Sequence, residues 1–112
     1  MSRNPQFYLG DVIEAGRAIG DYVQGYSKDQ FLNDPKTVDA VVRRLEIIGE
    51  AVKQFPDSWK EAEPQIPWTA IAGFRNILAH AYFKIEEDII WETIQEDLPD
   101  LLAACERIQK RR

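Results

Sequence analysis

The fold is decided by the stretch from Asp34 to Phe55, DPKTVDAVVRRLEIIGEAVKQF. Its apolar positions, Val38, Val41, Val42, Leu45, Ile48, Val52 and Phe55, recur mainly at intervals of three and four. That period gathers side chains on one face of an α-helix. Asp34 followed by Pro35 supplies the start signal, an acceptor for the free N–H groups of the first turn and then a residue whose fixed φ suits the first helical position. The opposite stripe, Arg43, Glu46, Glu50 and Lys53, carries both signs and reads first as a solvated face linked by ion pairs one turn apart.

Working outward, Asn4 and Pro5 repeat the start signal, and Tyr8, Val12, Ile19, Val23 and Tyr26 predict a first helix running to about residue 26. Gly10, Gly16, Gly20 and Gly25 fall in or near it, each costing roughly 1 kcal/mol against alanine, so close approach to a neighbour is their expected use. Between Pro56 and Pro67 the prolines leave room for one short turn around Trp59. A third long helix is expected from Pro67, with Trp68, Ile71, Ala72, Phe74 and Leu78 on its apolar side. In the last segment Trp91, Ile94, Leu98, Leu101, Cys105 and Ile108 keep one phase across Pro99. Proline inside a helix removes one ladder bond and clashes with the preceding turn, so that phase predicts a single helix kinked near residue 95. Four principal helices with short antiparallel connections make an all-α bundle, expected as one domain over residues 1–112.

A chain of 112 residues with 45% hydrophobic composition can bury a modest core, which an oligomer would extend. Its single cysteine, Cys105, excludes an internal disulfide, and the sequence has no Cys/His cluster for structural zinc. No stretch approaches the ~18 apolar residues of a membrane span, and the N-terminus has no signal-peptide run, so a cytoplasmic protein is expected. A net charge of −5 argues against general nucleic-acid binding. The charge is uneven, however. Residues 86–100 hold seven acids and no base, which leaves 14 bases against 12 acids elsewhere and permits a local anion site.

One constellation carries chemistry: Arg75, Asn76, His80 and Tyr82, in the run RNILAHAY. Asn76 and His80 stand one helical turn apart, so the amide can hold one imidazole nitrogen and fix the tautomer that acid–base catalysis needs. Arg75 and Tyr82 share another line. Arg75 and His80 are about 140° apart around an ideal helix, and converge only if the arginine wraps round, the helix ends near His80, or a second chain completes the site. On spacing alone, a satisfied core histidine, a salt-bridged arginine and a helix-end tyrosine explain the same residues.

The stretches FLNDPKTVDAVVRRLEIIGEAVKQ (Phe31 to Gln54) and PWTAIAGFRNILAHAYFKIEEDIIWETIQEDLPDLL (Pro67 to Leu102) resemble the HepT family of HEPN-domain proteins, the toxin halves of HepT/MNT toxin–antitoxin pairs. The resemblance implies a HEPN-like bundle acting as a metal-independent endoribonuclease with no cofactor of its own. It implies a homodimer with Arg75 and His80 at the subunit cleft and Asn76 and Tyr82 in support. It also implies a partner, an MNT-type nucleotidyltransferase antitoxin that uses ATP and magnesium to attach AMP to the motif tyrosine, here Tyr82. Cleavage without a metal needs a base for the 2′-hydroxyl proton, an acid for the leaving oxygen and a cation for the phosphorane charge. With one histidine per chain, a twofold pairing supplies both base and acid. Glu46 and Glu50 are possible partners of Arg75 or Arg43 without a chemical role. The rival expectation is a catalytically silent helical module that binds a nucleotidyltransferase or a nucleotide.

Overall fold

The computed structural model describes residues 4–73 and 87–111. Every regular element among them is helical: α1 (Pro5–Tyr22), α2 (Lys28–Leu32), α3 (Pro35–Val52), α4 (Asp57–Ala62), α5 (Trp68–Ala72), α6 (Glu87–Glu92), a π-helical turn (Thr93–Asp97) and α7 (Leu98–Lys110). The all-α expectation holds.

Both start signals act as read. Asn4 Oδ1 accepts from Gln6 N at 2.9 Å, and Asp34 Oδ1 accepts from Thr37 N at 3.3 Å, so each cap satisfies a donor that has no partner within its own helix. The α3 seam is buried apart from half-buried Val42, and Phe55 completes it from just beyond the helix end. α1 lies along α3 as its main partner. Tyr22 meets Arg44, whereas Tyr8 shares a groove with Gln54, so the two helices run antiparallel. Leu9, Val12, Ile13 and Ile19 of α1 are buried there. Each contributes about 1.5–3 kcal/mol, which outweighs the cost of roughly 1 kcal/mol for each glycine in the same helix.

The expected role of those glycines is correct at one position. A Cβ on Gly16 would come within 2.9 Å of Leu102 Cγ and closer still to its Cδ2, so α7 packs directly on the α1 backbone there. Gly10, Gly20 and Gly25 have open space where a Cβ would stand. Gly25 serves a turn instead. With φ +79° it occupies the left-handed region that glycine enters without steric cost, and the first helix ends at Tyr22, not residue 26. Tyr26 therefore leaves the helix and donates to Asp34 Oδ2 at 2.6 Å.

Helix α2 was not expected. It is set by a reciprocal cap in which Gln30 N donates to Ser27 Oγ at 3.2 Å and Ser27 N donates to Gln30 Oε1 at 2.8 Å. Phe31, fully buried, anchors it against Trp91 with ring centroids 5.2 Å apart. The short turn around Trp59 is α4. Of the third long helix, the structure describes α5, and its expected continuation through Phe74 and Leu78 lies outside the described residues.

Near residue 95, where the kink is expected, the helix departs from α geometry in a π-helical turn at Thr93–Asp97. In a straight α-helix the Pro99 ring would collide with the carbonyl of Gln95, four residues earlier. The wider turn relieves that conflict, and Pro99 falls in the first turn of α7, where a missing N–H costs nothing. Ile94, Leu98, Leu101, Cys105 and Ile108 remain buried on one seam across the irregularity.

Candidate active site

The residues expected to carry chemistry, Arg75, Asn76, His80 and Tyr82, lie outside the described residues, and so do any pairings of Glu46 or Glu50 with Arg75. The frame that holds the two ends of their segment is described in full.

Upstream, α5 is pinned through Trp68. Its indole Nε1 donates to the carbonyls of Lys60 at 3.2 Å and Glu63 at 3.0 Å, and its ring lies 5.8 Å from that of Phe55. Ile71, one turn on, faces an apolar cleft formed by Leu45 and Ile48 of α3 and Leu98 and Leu101 of α7. Downstream, Ile90 of α6 is buried, Trp91 packs on Phe31, and Lys28 Nζ pairs with Asp88 Oδ1 at 3.3 Å. The segment thus leaves and rejoins a packed frame built on α2, α3 and α7.

The upstream pin depends on a residue that the sequence reading passed over. Glu63 is 2% exposed, the one charged side chain among the described residues that is fully buried. Its carboxylate accepts from Arg107 Nη2 at 2.7 Å, Arg107 Nε at 3.2 Å, Gln65 Nε2 at 2.8 Å and Arg111 Nη2. Those donors, Arg107 foremost, hold its pKa down to about 2. Arg107 is shifted up in turn by the carboxylate it binds. A glutamate inside a proline-broken stretch and two arginines one turn apart, 44 and 48 residues later, leave no local sequence signal. Only the folded chain brings them together.

The charged stripe of α3 has two roles. Lys53 Nζ pairs with Glu50 Oε2 at 3.9 Å, as a solvated face would. Arg43, Glu46 and Glu50 also line a groove of about 520 Å³ between α3 and α1, opposite Tyr8 and Asp11. Three carboxylates against one guanidinium make this groove a poor seat for phosphate. Among the described residues no three His, Cys, Asp or Glu side chains are placed to hold a metal ion, and no helix is long and apolar enough to cross a membrane.

An all-α bundle that carries an Arg-Asn-x-x-x-His-x-Tyr string between two anchored helices is the class these features define. The chain belongs to the HepT-like ribonuclease family, whose model, described as "Ribonuclease HepT-like", matches residues 12–108. It is 41% identical over 110 residues to the "Probable ribonuclease HepT" of Thermococcus cleftensis, covering 98% of this chain and 100% of that protein. Two further relatives are each named "Putative RNase". One, from Caldanaerobacter subterraneus subsp. tengcongensis, is 41% identical over 99 residues, covering 88% of each chain. The other, from Methanocaldococcus jannaschii, is 40% identical over 103 residues, covering 92% of this chain and 85% of its own length. No solved structure matches the chain at a significant level.

Proposed function

We propose that this chain is the toxin of a toxin–antitoxin pair, a metal-independent endoribonuclease that works as a homodimer with Arg75 and His80 of both subunits at one cleft. The observation that carries this reading is the intact Arg75, Asn76, His80 and Tyr82 string inside the span matched by the ribonuclease family. One His80 takes the proton of the 2′-hydroxyl, which attacks the adjacent phosphorus. The second protonates the departing 5′-oxygen, leaving a 2′,3′-cyclic phosphate upstream. Arg75 stabilises the phosphorane charge with paired N–H donors, and Asn76 fixes the imidazole. An MNT-type nucleotidyltransferase silences the enzyme by transferring AMP from ATP to the Tyr82 hydroxyl, which loses its proton as pyrophosphate departs, and this sets a phosphate and a nucleoside where RNA would lie. Its cytoplasmic setting and the dimer belong to the same proposal.

The test is cleavage by His80→Ala and Arg75→Ala. Each should lose at least ~100-fold in rate while keeping the far-UV helical signal of the parent, since a positioned acid or base contributes about that much. Equal rates for His80→Ala and the parent would defeat the enzyme reading. The net charge of −5 favours the second reading, a silent module that docks a nucleotidyltransferase, and that outcome would support it.

A further inference from the structure

Helix α5 is five residues long, and an isolated helix of that length has no stability of its own. Its N-cap, Pro67, offers no side-chain acceptor to the free N–H groups of the first turn. Tertiary contacts must therefore place it. The apolar ones are the Trp68 ring against Phe55 and Ile71 facing the cleft of Leu45, Ile48, Leu98 and Leu101. Apolar burial is non-directional, so it holds the helix down without fixing its rotation. Direction comes from the Trp68 indole N–H, which donates to the carbonyls of Lys60 and Glu63.

Glu63 braces both of those acceptors. Its N–H donates to the Lys60 carbonyl at 3.2 Å, and its own carbonyl also accepts from Ile66 N at 3.2 Å. Its carboxylate accepts from Gln65, Arg107 and Arg111, so the side chain is tied to α7 while the main chain is tied to Trp68. Among the described residues, these ion pairs are what join the stretch between Pro56 and Pro67 to α7. A buried carboxylate with its partners is seldom more stabilising than apolar side chains of the same volume. What the charges add is direction, because the Arg107 fork and the Arg111 contact accept the carboxylate in one orientation.

We propose that Glu63 is a positioning residue for Arg75 and His80, acting through Trp68. The proposal rests on the ribonuclease reading and adds what fixes the geometry of its site. Arg75 follows Ala72, the last residue of α5, by three positions, so the two are at most ~11 Å apart whatever path the chain takes. In the long helix expected from Pro67, α5 is the beginning, and the direction in which each later side chain leaves the axis is set at Trp68. A rotation of ~10° there carries a side-chain tip ~6 Å from the axis through ~1 Å. A misplacement of that size can cost ~100-fold in rate.

The experiment compares the parent with Glu63→Gln, Arg107→Lys and Trp68→Phe, each at a temperature where far-UV circular dichroism shows it folded. Glu63→Gln removes the charge. Arg107→Lys keeps a charge but loses the fork, and its half-exposed site accommodates the change, so a folded variant of the cluster is in hand. Trp68→Phe keeps a ring against Phe55 and removes the indole donor. The control is Tyr26→Phe, which loses the 2.6 Å bond to Asp34 at the end of α3 far from Phe55, and so weakens the fold off this path. His80 is the single histidine, so a chain labelled with 13C-histidine reports it as one imidazole signal without substrate. That signal should move in all three variants, while kcat on a short RNA falls about tenfold, less in Arg107→Lys, and KM stays within about twofold. Tyr26→Phe should keep the parental signal and kcat. A parental signal in Glu63→Gln, Arg107→Lys or Trp68→Phe, or an equal displacement in Tyr26→Phe, would overturn the proposal. So would a loss carried by KM with kcat unchanged, which would make the cluster a substrate-binding surface. A parent that does not cleave RNA defeats the ribonuclease reading alone, and the imidazole signal then decides the positioning role. A parent that cleaves beside variants with unmoved signal and rate defeats the positioning role alone.

Discussion

Replacing Glu63 by glutamine keeps the shape of the buried side chain and removes its charge, so it isolates what the ion cluster contributes. The carboxyl titrates at about 2 in the folded chain against an ordinary 4.5. At 1.36 kcal/mol per pH unit, that difference sets a ceiling of ~3 kcal/mol. Both arginines are about half exposed and solvent screens them, which brings the expected loss at neutral pH to ~2 kcal/mol. Because the folded pKa is depressed, this stability is fully present above about pH 4.5 and is lost as the pH falls toward 2. Urea unfolding of parent and Glu63→Gln should therefore show a gap of ~2 kcal/mol at pH 7 that shrinks below ~1 kcal/mol at pH 3. A double-mutant cycle with Arg107→Ala should show that most of the gap is shared between the two residues. An equal gap at pH 7 and pH 3 would mean that glutamine simply packs badly, and no gap at pH 7 would mean that the brace does not stabilise the fold.

Gly10→Ala should raise stability by ~0.5–1 kcal/mol, since its site is open and alanine favours the helix, whereas Gly16→Ala should lower it by about 1–2 kcal/mol by crowding Leu102; chemical denaturation of both, with the same sign for the two, would contradict the packing described. Cys105 is buried, and its thiol is pushed up to about 12 chiefly by that burial, so a thiol reagent at pH 8 should label the native chain far more slowly than the urea-unfolded one. Incubated with the cognate nucleotidyltransferase, ATP and magnesium, the parent should gain AMP-sized mass, while Tyr82→Phe should gain none and still cleave RNA. Equal mass gain on Tyr82→Phe by intact-mass spectrometry would reassign the modified residue.

How much the sequence alone determined differs from element to element. The α3 helix was legible because its seam, its Asp34 cap and Pro35 all act within a few residues of one another. The irregularity before α7 was legible for the same reason, since the clash between Pro99 and the preceding turn is local. The Ser27–Gln30 cap was equally local and was overlooked beside the longer periodic pattern of α1. The Arg75–Tyr82 string is legible as a pattern of residue types, which is why it points to a family and a chemistry. The tertiary structure decided matters that depend on separation in space. Of the four glycines in or near α1 it chose Gly16 as the contact, because there Leu102 of α7 packs against the α1 backbone. It turned the α3 stripe from a solvated face into one wall of a groove, because α1 supplies Tyr8 and Asp11 from the other side. It joined Glu63 to Arg107 and Arg111 across more than forty residues of chain. Helical periodicity and caps are short-range consequences of backbone geometry, whereas a buried ion cluster exists only once separate helices have packed and excluded the water that would otherwise solvate each charge.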